Sequence, residues 1–387
     1  MESDNKLFLL DAYALIYRAY YAFIKNPRIN SKGFNTSAIL GFVNTLEEVL
    51  KKENPSHIGV AFDPSGPTFR HEAFEQYKAQ REETPEAIRL SVPIIKDIIH
   101  AYRIPILEVA GYEADDVIGT LATEAGRQGI TTYMMTPDKD YGQLVTDNVF
   151  MYRPKHTGGF EVMGIEEVKA KFDIQSPAQV IDMLGLMGDA SDNIPGCPGV
   201  GEKTAQKLIA EFGSIENLLE HTDQLKGALK TKVETNKELI TFSKFLATIK
   251  IDVPIQLEMD KLVREQADED SLRQIFEELE FRTLIDRVLK KENSAGGVTM
   301  ATGSKTATAK SAPSPLPLFP EEGGAIQGDL FANFTGNEAG EAKKSNLETL
   351  ETLNCDYQLI DTEKKRAEII QKLLTSKILS LETETTG

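Results

Sequence analysis

The sequence predicts an α/β protein built on a doubly wound, mostly parallel sheet, and three observations lead there. Short apolar runs at residues 6–10 and 57–62 each end on an acid, Asp11 and Asp63, with an amphipathic helix over 37–51 between them. A third β-rich run, residues 131–136, follows a helix that opens at G-Y-E-A-D-D-V and leads into T-P-D-K-D. Continuous apolar runs of that length alternating with helical periodicity are the pattern of buried parallel strands joined by crossover helices.

Taken in order, the strand ending at Asp11 is followed by a helix bearing Tyr13, Tyr17, Arg18, Tyr20 and Tyr21. Those tyrosines serve either as packing or, with Tyr17 and Arg18, as a platform on which nucleic-acid bases stack. Residues 64–103 form an excursion too long for an ordinary strand-to-helix link. Were it helical, Arg70, Phe74, Tyr77, Lys78 and Arg81 would share one face. That face is either a solvated, ion-paired surface or a basic stripe for a phosphate backbone.

Glu113, Asp115 and Asp116 then stand at a helix N-terminus, and Asp138 and Asp140 follow a strand's carboxyl end, where ligands bind in open α/β sheets. Asp189 and Asp192 extend the series to nine acids: Asp11, Asp63, Glu113, Asp115, Asp116, Asp138, Asp140, Asp189 and Asp192. Carboxylates gathered so densely repel unless cations lie between them, and all-oxygen donors select hard ions, Mg²⁺ or Mn²⁺. After a helix over 178–187, Gly199-Val200-Gly201 turns into a helix over 202–212. Its opening amides, with Lys203 and Thr204, suit a phosphate held without regard to base sequence. Further helices and a strand over 255–259 are expected, the last helical stretch spanning 272–290.

Composition bounds the rest. The 387 residues allow two or more domains, and 41% apolar content supports a sizeable core. Two distant cysteines, Cys197 and Cys355, and five histidines argue against a disulfide scaffold or a zinc site and fit a reducing cytosol. The early apolar run is broken by Asp11 and Arg18, so neither a signal peptide nor a membrane span is expected. A net charge of −17 disfavours nucleic acid only as a whole-chain number, since local basic stripes coexist with an acidic site.

The motifs L-L-D-A-Y, V-A-F-D, F-R-H-E-A-F-x-x-Y-K-A-x-R, G-Y-E-A-D-D-V, T-P-D-K-D, G-D-A-S-D-N-I-P-G and G-V-G-E-K-T-A carry a resemblance. Residues 6–291 resemble the 5′-nuclease domains at the amino end of bacterial DNA polymerase I, relatives of the flap endonucleases. The resemblance implies a two-metal site lined by all nine acids and a helical arch over about 64–103. Lys78 and Arg81 at its base would touch the scissile phosphate, with Arg70 and Tyr77 on the DNA-facing stripe. Residues 199–205 would be a helix–hairpin–helix gripping duplex backbone, often with a potassium ion. Implied substrates are DNA with 5′ flaps, nicks or RNA primers, handled by a cytoplasmic, nucleoid-associated monomer. The domain plan is a nuclease core over 1–175, a DNA-binding subdomain over 176–291 and a linker over 292–345. Residues 346–387 resemble the start of a proofreading 3′→5′ exonuclease domain, with Glu382 where that family has Asp. The expectation is a piece of a longer polymerase.

Two rivals stand beside this reading: a phosphoryl-transfer enzyme for small molecules, and a catalytically silent module for branched DNA. Within the linker, Gln327, Leu330 and Phe331 make a Q-x-x-L-F pattern resembling peptides that dock on the bacterial sliding clamp.

Overall fold

The computed structural model describes residues 5–155, 159–289 and 365. The chain divides into two units, Met1–Phe334 and Thr335–Gly387, and the sheet and its helices belong to the first. Gln327, Leu330, Phe331, Glu382 and the whole 292–345 segment lie outside the described residues.

Strand β1 (Lys6–Asp11) leads into helix α1 (Ala12–Ala22), then α2 (Ser37–Lys52) and β2 (His57–Ala61). The excursion holds α3 (Phe69–Ala73) and α4 (Glu86–Ala101), and it returns through β3 (Ile106–Leu107) to α5 (Ala114–Arg127) and β4 (Thr131–Met135). A 3₁₀ turn at Lys139–Leu144 precedes β5 (Val149–Pro154), β6 (Phe160–Met163) and α6 (Ile165–Phe172). Eight further helices complete the described chain: α7 (Gln179–Met187), α8 (Glu202–Phe212), α9 (Ile215–Glu220), α10 (Gly227–Thr235), α11 (Lys237–Ala247), α12 (Met259–Leu262), α13 (Glu269–Glu278) and α14 (Arg282–Leu289).

The six strands lie in the order β3-β2-β1-β4-β5-β6, all parallel except the antiparallel pair β5–β6. This is the doubly wound order, and the direction of winding reverses between β1 and β4. Period-two alternation divides β1 between two cores. Leu7 and Leu9 face α5, α7 and α8, whereas Phe8 and Leu10 face α1, α2 and α4. Asp11 pairs in register with Ala61, while Leu10 pairs with Met135, so the first acid stands at the carboxyl edge beside the reversal point.

Helices α7, α8 and α11 share the first core with α5. Helices α13 and α14 return to the opposite face, where Leu272, Phe276, Leu284 and Leu289 join Ile88, Ile95 and Ile99 of α4. The helix expected over 272–290 is interrupted, because Glu280 adopts a left-handed φ of 64° between α13 and α14.

Two sequence expectations are corrected. Residues 255–259 are not a strand: Pro254 precedes them, and Ile255 and Leu257 pack on the α5 side of the core instead of extending the sheet. The excursion is not one continuous helix either. Phe74 leaves helical geometry at φ −147° and ψ 99°, and Lys78 is left-handed at φ 57°. Contacts to another loop override the helical periodicity. The amide of Lys78 donates to the Asp192 carbonyl at 3.0 Å, Gln80 Nε2 to that of Ala190 at 2.6 Å, and Asn193 Nδ2 to that of Gln76 at 2.7 Å.

Close approach of α1 and α2 sets the sheet's cover on one face. A Cβ placed on Gly41 would lie 2.6 Å from the Ala19 Cβ and 3.1 Å from its Cα. Gly41→Ala should therefore destabilise the chain by about 1–3 kcal/mol through overpacking, against the roughly 1 kcal/mol that alanine gains in a helix. Urea unfolding checks this, and an unchanged or raised midpoint would show that the two helices are free to separate.

Candidate metal centre

The carboxyl edge of the sheet collects side chains from the ends of, or the segments after, β1, β2, β3 and β4. Asp11 ends β1 and caps α1, its Oδ1 accepting from the Ala14 amide at 3.1 Å. Its Oδ2 accepts from Thr136 Oγ1 at 3.2 Å and from the Tyr141 hydroxyl at 3.1 Å. Asp63, beyond β2, accepts from the Ala114 amide at 2.7 Å, which ties the second strand's exit to the start of α5. Asp138 caps the 3₁₀ turn through the Asp140 amide at 3.0 Å. Asp189 accepts from the Ser191 amide at 2.7 Å, and Lys139 Nζ stands 3.3 Å from its Oδ2.

At the N-terminus of α5, donor oxygens of Glu113, Asp115 and Asp116 lie within 4.8 Å of one another. Two cationic elements converge on this trio. From α3, Arg70 donates to Glu113 Oε2 and to both oxygens of Asp116, each at 2.8 Å. From the turn after it, Lys78 donates to Glu113 and stands 3.7 Å from Asp192. Arg81 donates to Asp192 Oδ1, and the Tyr77 hydroxyl stands 3.0 Å from both Glu113 Oε2 and Asp192 Oδ2.

These contacts split the acids electrostatically. Burial would raise Glu113, but Lys78 and then Arg70 outweigh it and hold the carboxyl below its usual range. Burial is likewise outweighed at Asp192, by Lys78 and then Arg81. Elsewhere the compensation falls short. Burial, then Asp63 and Asp138, push Asp11 up to about 7. Asp115 is raised well above its usual range by burial and then by Asp116, and Asp140 by burial and then by Asp138. One carboxylate oxygen on each of Asp115 and Asp140 is buried without a hydrogen-bond partner. Buried, unpartnered oxygens in an all-carboxylate neighbourhood fit a hard divalent cation, so the residues present suit the metal that the sequence implies.

Several residues stand apart from their expected places. Arg70 and Tyr77, expected on a stripe facing DNA, are buried at 1% and 3% and face the acids. Asp116, expected to hold metal, is fully buried, and its oxygens also accept from the Lys250 amide at 2.8 Å and the Glu113 amide at 3.1 Å. No simple sequence pattern exposed this pairing, because Arg70 and Asp116 are 46 residues apart. On α1, Tyr17 sits between Tyr13 and Tyr21 with its hydroxyl on Thr84 at 2.9 Å, and Arg18 Nη2 donates to the Lys155 carbonyl at 3.2 Å.

The glycine turn lies away from the acids' immediate contacts. Gly199 needs its left-handed φ of 76°, and its carbonyl accepts from Lys232 Nζ at 3.1 Å. Val200 is buried, with its amide on the Cys197 carbonyl at 2.9 Å. Gly201 caps α8 in extended geometry, and a Cβ there would meet nothing within 4 Å. Lys203 is exposed and Thr204 half-buried.

Comparison with known proteins places this geometry. Residues 6–173 match the family model of the 5′-3′ exonuclease N-terminal resolvase-like domain, and residues 175–270 match that of the 5′-3′ exonuclease C-terminal SAM fold. DNA polymerase I of Bacillus subtilis (strain 168) is 43% identical over 291 residues, covering 74% of this chain and 33% of the relative. The Bacillus caldotenax polymerase is 40% identical over 287 residues, covering 73% and 32%. The chain thus spans about a third of the length of the curated relatives it matches. Among solved structures, the T5 5′-exonuclease with bound zinc aligns at TM-score 0.53 and 22% identity, covering 71% of this chain and 98% of that one. The catalytic core of Rad2 in complex with DNA substrate aligns at 0.51 and 18%, covering 74% and 93%. At such identities the likeness is one of fold. Among the described residues, no helix is long and apolar enough to cross a membrane.

The raised acids generate a pH prediction. Asp11 keeps its proton in the folded chain up to about pH 7, whereas the unfolded carboxyl loses it near 3.8. Between those values the folded state binds more protons, so stability falls as pH rises. Asp115 and Asp140 act in the same direction. Metal-free protein should melt lower at about pH 8 than at about pH 6, and excess Mg²⁺ should remove most of the difference. Calorimetric scans showing equal or reversed melting temperatures would contradict the crowding described here.

Proposed function

The chain belongs to the 5′-3′ exonuclease family, and from that premise we propose that it is a structure-specific 5′ nuclease. It hydrolyses phosphodiesters in DNA bearing 5′ flaps or nicks, and in primer RNA, with two hard divalent cations, Mg²⁺ or Mn²⁺. In the whole polymerase this activity serves primer removal and repair. The observation that carries the reading is the pairing of carboxylates beside the winding reversal with Lys78 and Arg81 reaching over them.

Asp11, Asp63, Asp115, Asp138, Asp140 and Asp189 would hold the cations, directly or through water, with Glu113 and Asp192 completing the wall. Bound there, the ions would lower the pKa of an attacking water and offset charge on the leaving oxygen. The chain's own groups do the rest. Lys78 and Arg81 are paired with carboxylates in the protein alone, and an arriving phosphate offers them a second anionic partner of matching geometry. Turning to it, they neutralise charge as it builds on the phosphoryl oxygens. Tyr77, whose hydroxyl bridges Glu113 and Asp192, keeps those two acids in place during the exchange.

Duplex beyond the cut is gripped by residues 199–205, with α8's opening amides and Lys203 toward the backbone and a potassium ion at the hairpin. Open space at Gly201 supports that close approach. Tyr17 and Arg18 stack on or near a terminal base pair. Clamp docking through Gln327, Leu330 and Phe331 rests on sequence alone.

Asp138→Ala tests the reading. Cleavage of an end-labelled flapped duplex in Mg²⁺ should fall at least a thousandfold, roughly 4 kcal/mol on the barrier. Affinity for the same DNA, measured in Ca²⁺, should hold or tighten as a negative charge leaves the cleft. A variant that cleaves within about tenfold of wild type, about 1.4 kcal/mol, would remove the metal assignment.

A further inference from the structure

Arg70 places all five of its N–H groups. Nε donates to the Leu246 carbonyl at 2.9 Å, Nη1 to Glu113 and Asp116, and Nη2 to Asp116 and to the Thr248 carbonyl, the last four at 2.8 Å. Leu246 and Thr248 lie at the carboxyl end of α11, where helix carbonyls lack intrahelical partners and a cation is favoured. Beneath the guanidinium, the Phe69 ring lies 4.6 Å away and packs edge-on against Phe245 of α11. The side chain is fully buried, and its charge is compensated on the spot.

Asp116 is the complementary half. Its Oδ1 accepts from Arg70 and the Lys250 amide, and its Oδ2 from Arg70 and the Glu113 amide. Four donors fill the roughly four lone-pair positions of a carboxylate. Asp115, by contrast, has its Oδ1 3.9 Å from Arg70, and that oxygen is buried without a hydrogen-bond partner. The guanidinium therefore stands where an ion shared by Glu113, Asp115 and Asp116 would stand.

Resting on the nuclease reading, we infer that Arg70 is a positioning residue. It withdraws Asp116 from the metal-binding set, aims Glu113 from the side, and locks the start of α5 to the end of α11. The fork is what the role requires. Lysine keeps the charge but has three donors on a flexible stem and cannot reproduce two parallel bonds to Asp116 with two more to helix carbonyls.

The test uses the full chain, wild type beside Arg70→Lys, Asp116→Asn and the double variant. Mn²⁺ binding is measured calorimetrically without DNA, and flap cleavage under single turnover at saturating metal. Asp116→Asn should bind as many Mn²⁺ ions as wild type. Each single variant should cleave at least about tenfold slower, and the double within about threefold of the slower single, because the pair acts as one unit. One Mn²⁺ fewer in Asp116→Asn would make Asp116 a ligand and overturn the inference. So would Arg70→Lys cleaving within about threefold of wild type, or losses that multiply in the double variant. Should Arg70→Lys fail to fold, the Mn²⁺ count of Asp116→Asn decides alone. Wild type that neither binds Mn²⁺ nor cleaves would instead refute the nuclease reading beneath it.

Discussion

Repulsion among carboxylates is the constraint to which the rest of this structure answers. Nine acids reach one edge of one sheet, and a fold that brings them together must offset the cost from within or leave it for a ligand to offset. This chain does both, on different sides of the cleft. Toward α3 and the turn after it, Arg70, Lys78 and Arg81 neutralise Glu113, Asp116 and Asp192 internally. Toward β1 and the 3₁₀ turn, Asp11 and Asp140 stay raised, and Asp115 joins them beside its neutralised neighbour. One side is neutralised from within, while the other leaves its repulsion for added positive charge to offset.

The fold supplies this asymmetry through its winding. Strands β1 and β4 are neighbours in the sheet although 120 residues separate Asp11 from Thr131, so Asp11 at the end of β1 and Asp138 just beyond β4 flank the reversal point. Helix α5 starts at the same edge and is fixed there by two side chains, Asp63 on the Ala114 amide and Asp116 on the Glu113 amide. The carboxyl-terminal helices contribute by closing one wall. The end of α11 meets Arg70, and the Gln143 side chain links the same region through the Ala247 carbonyl at 3.1 Å and the Ile249 amide at 2.9 Å. Displacing α11 would thus disturb Glu113 and Asp116 through Arg70.

Much of this was legible in the sequence, and what was not has physical reasons. Apolar runs ending at Asp11 and Asp63 predicted their strands because both faces are buried and nothing interrupts the run. Strand β3 is two residues long and β6 is an exposed edge, so neither carries a pattern that separates it from a loop. The stretch around Phe74 has helical periodicity, yet the Lys78 amide and the Gln80 side chain bond to the carbonyls of Asp192 and Ala190, a tertiary override invisible to any local window. Likewise residues 255–259 read as strand, but Ile255 and Leu257 pack on the α5 side, and just before them the Val253 amide donates to Thr120 Oγ1 at 3.2 Å. Arg70 was misplaced for a related reason. A basic residue among aromatics suggests a surface stripe, and only the fold shows that its partners are Glu113 and Asp116. The acids, nine of them at or near the ends of elements, stand out in the sequence by number; a lone buried cation does not.

If an outer, charge-deficient set of carboxylates takes the metal while Arg70 keeps the inner pair, an anomalous-difference map from crystals soaked in Mn²⁺ shows it most directly. The expected result is density among Asp11, Asp63, Asp115, Asp138, Asp140 and Asp189, with the guanidinium still between Glu113 and Asp116. Density at the guanidinium's position with Arg70 swung away, or no ordered Mn²⁺ at all along the carboxyl edge, would contradict it.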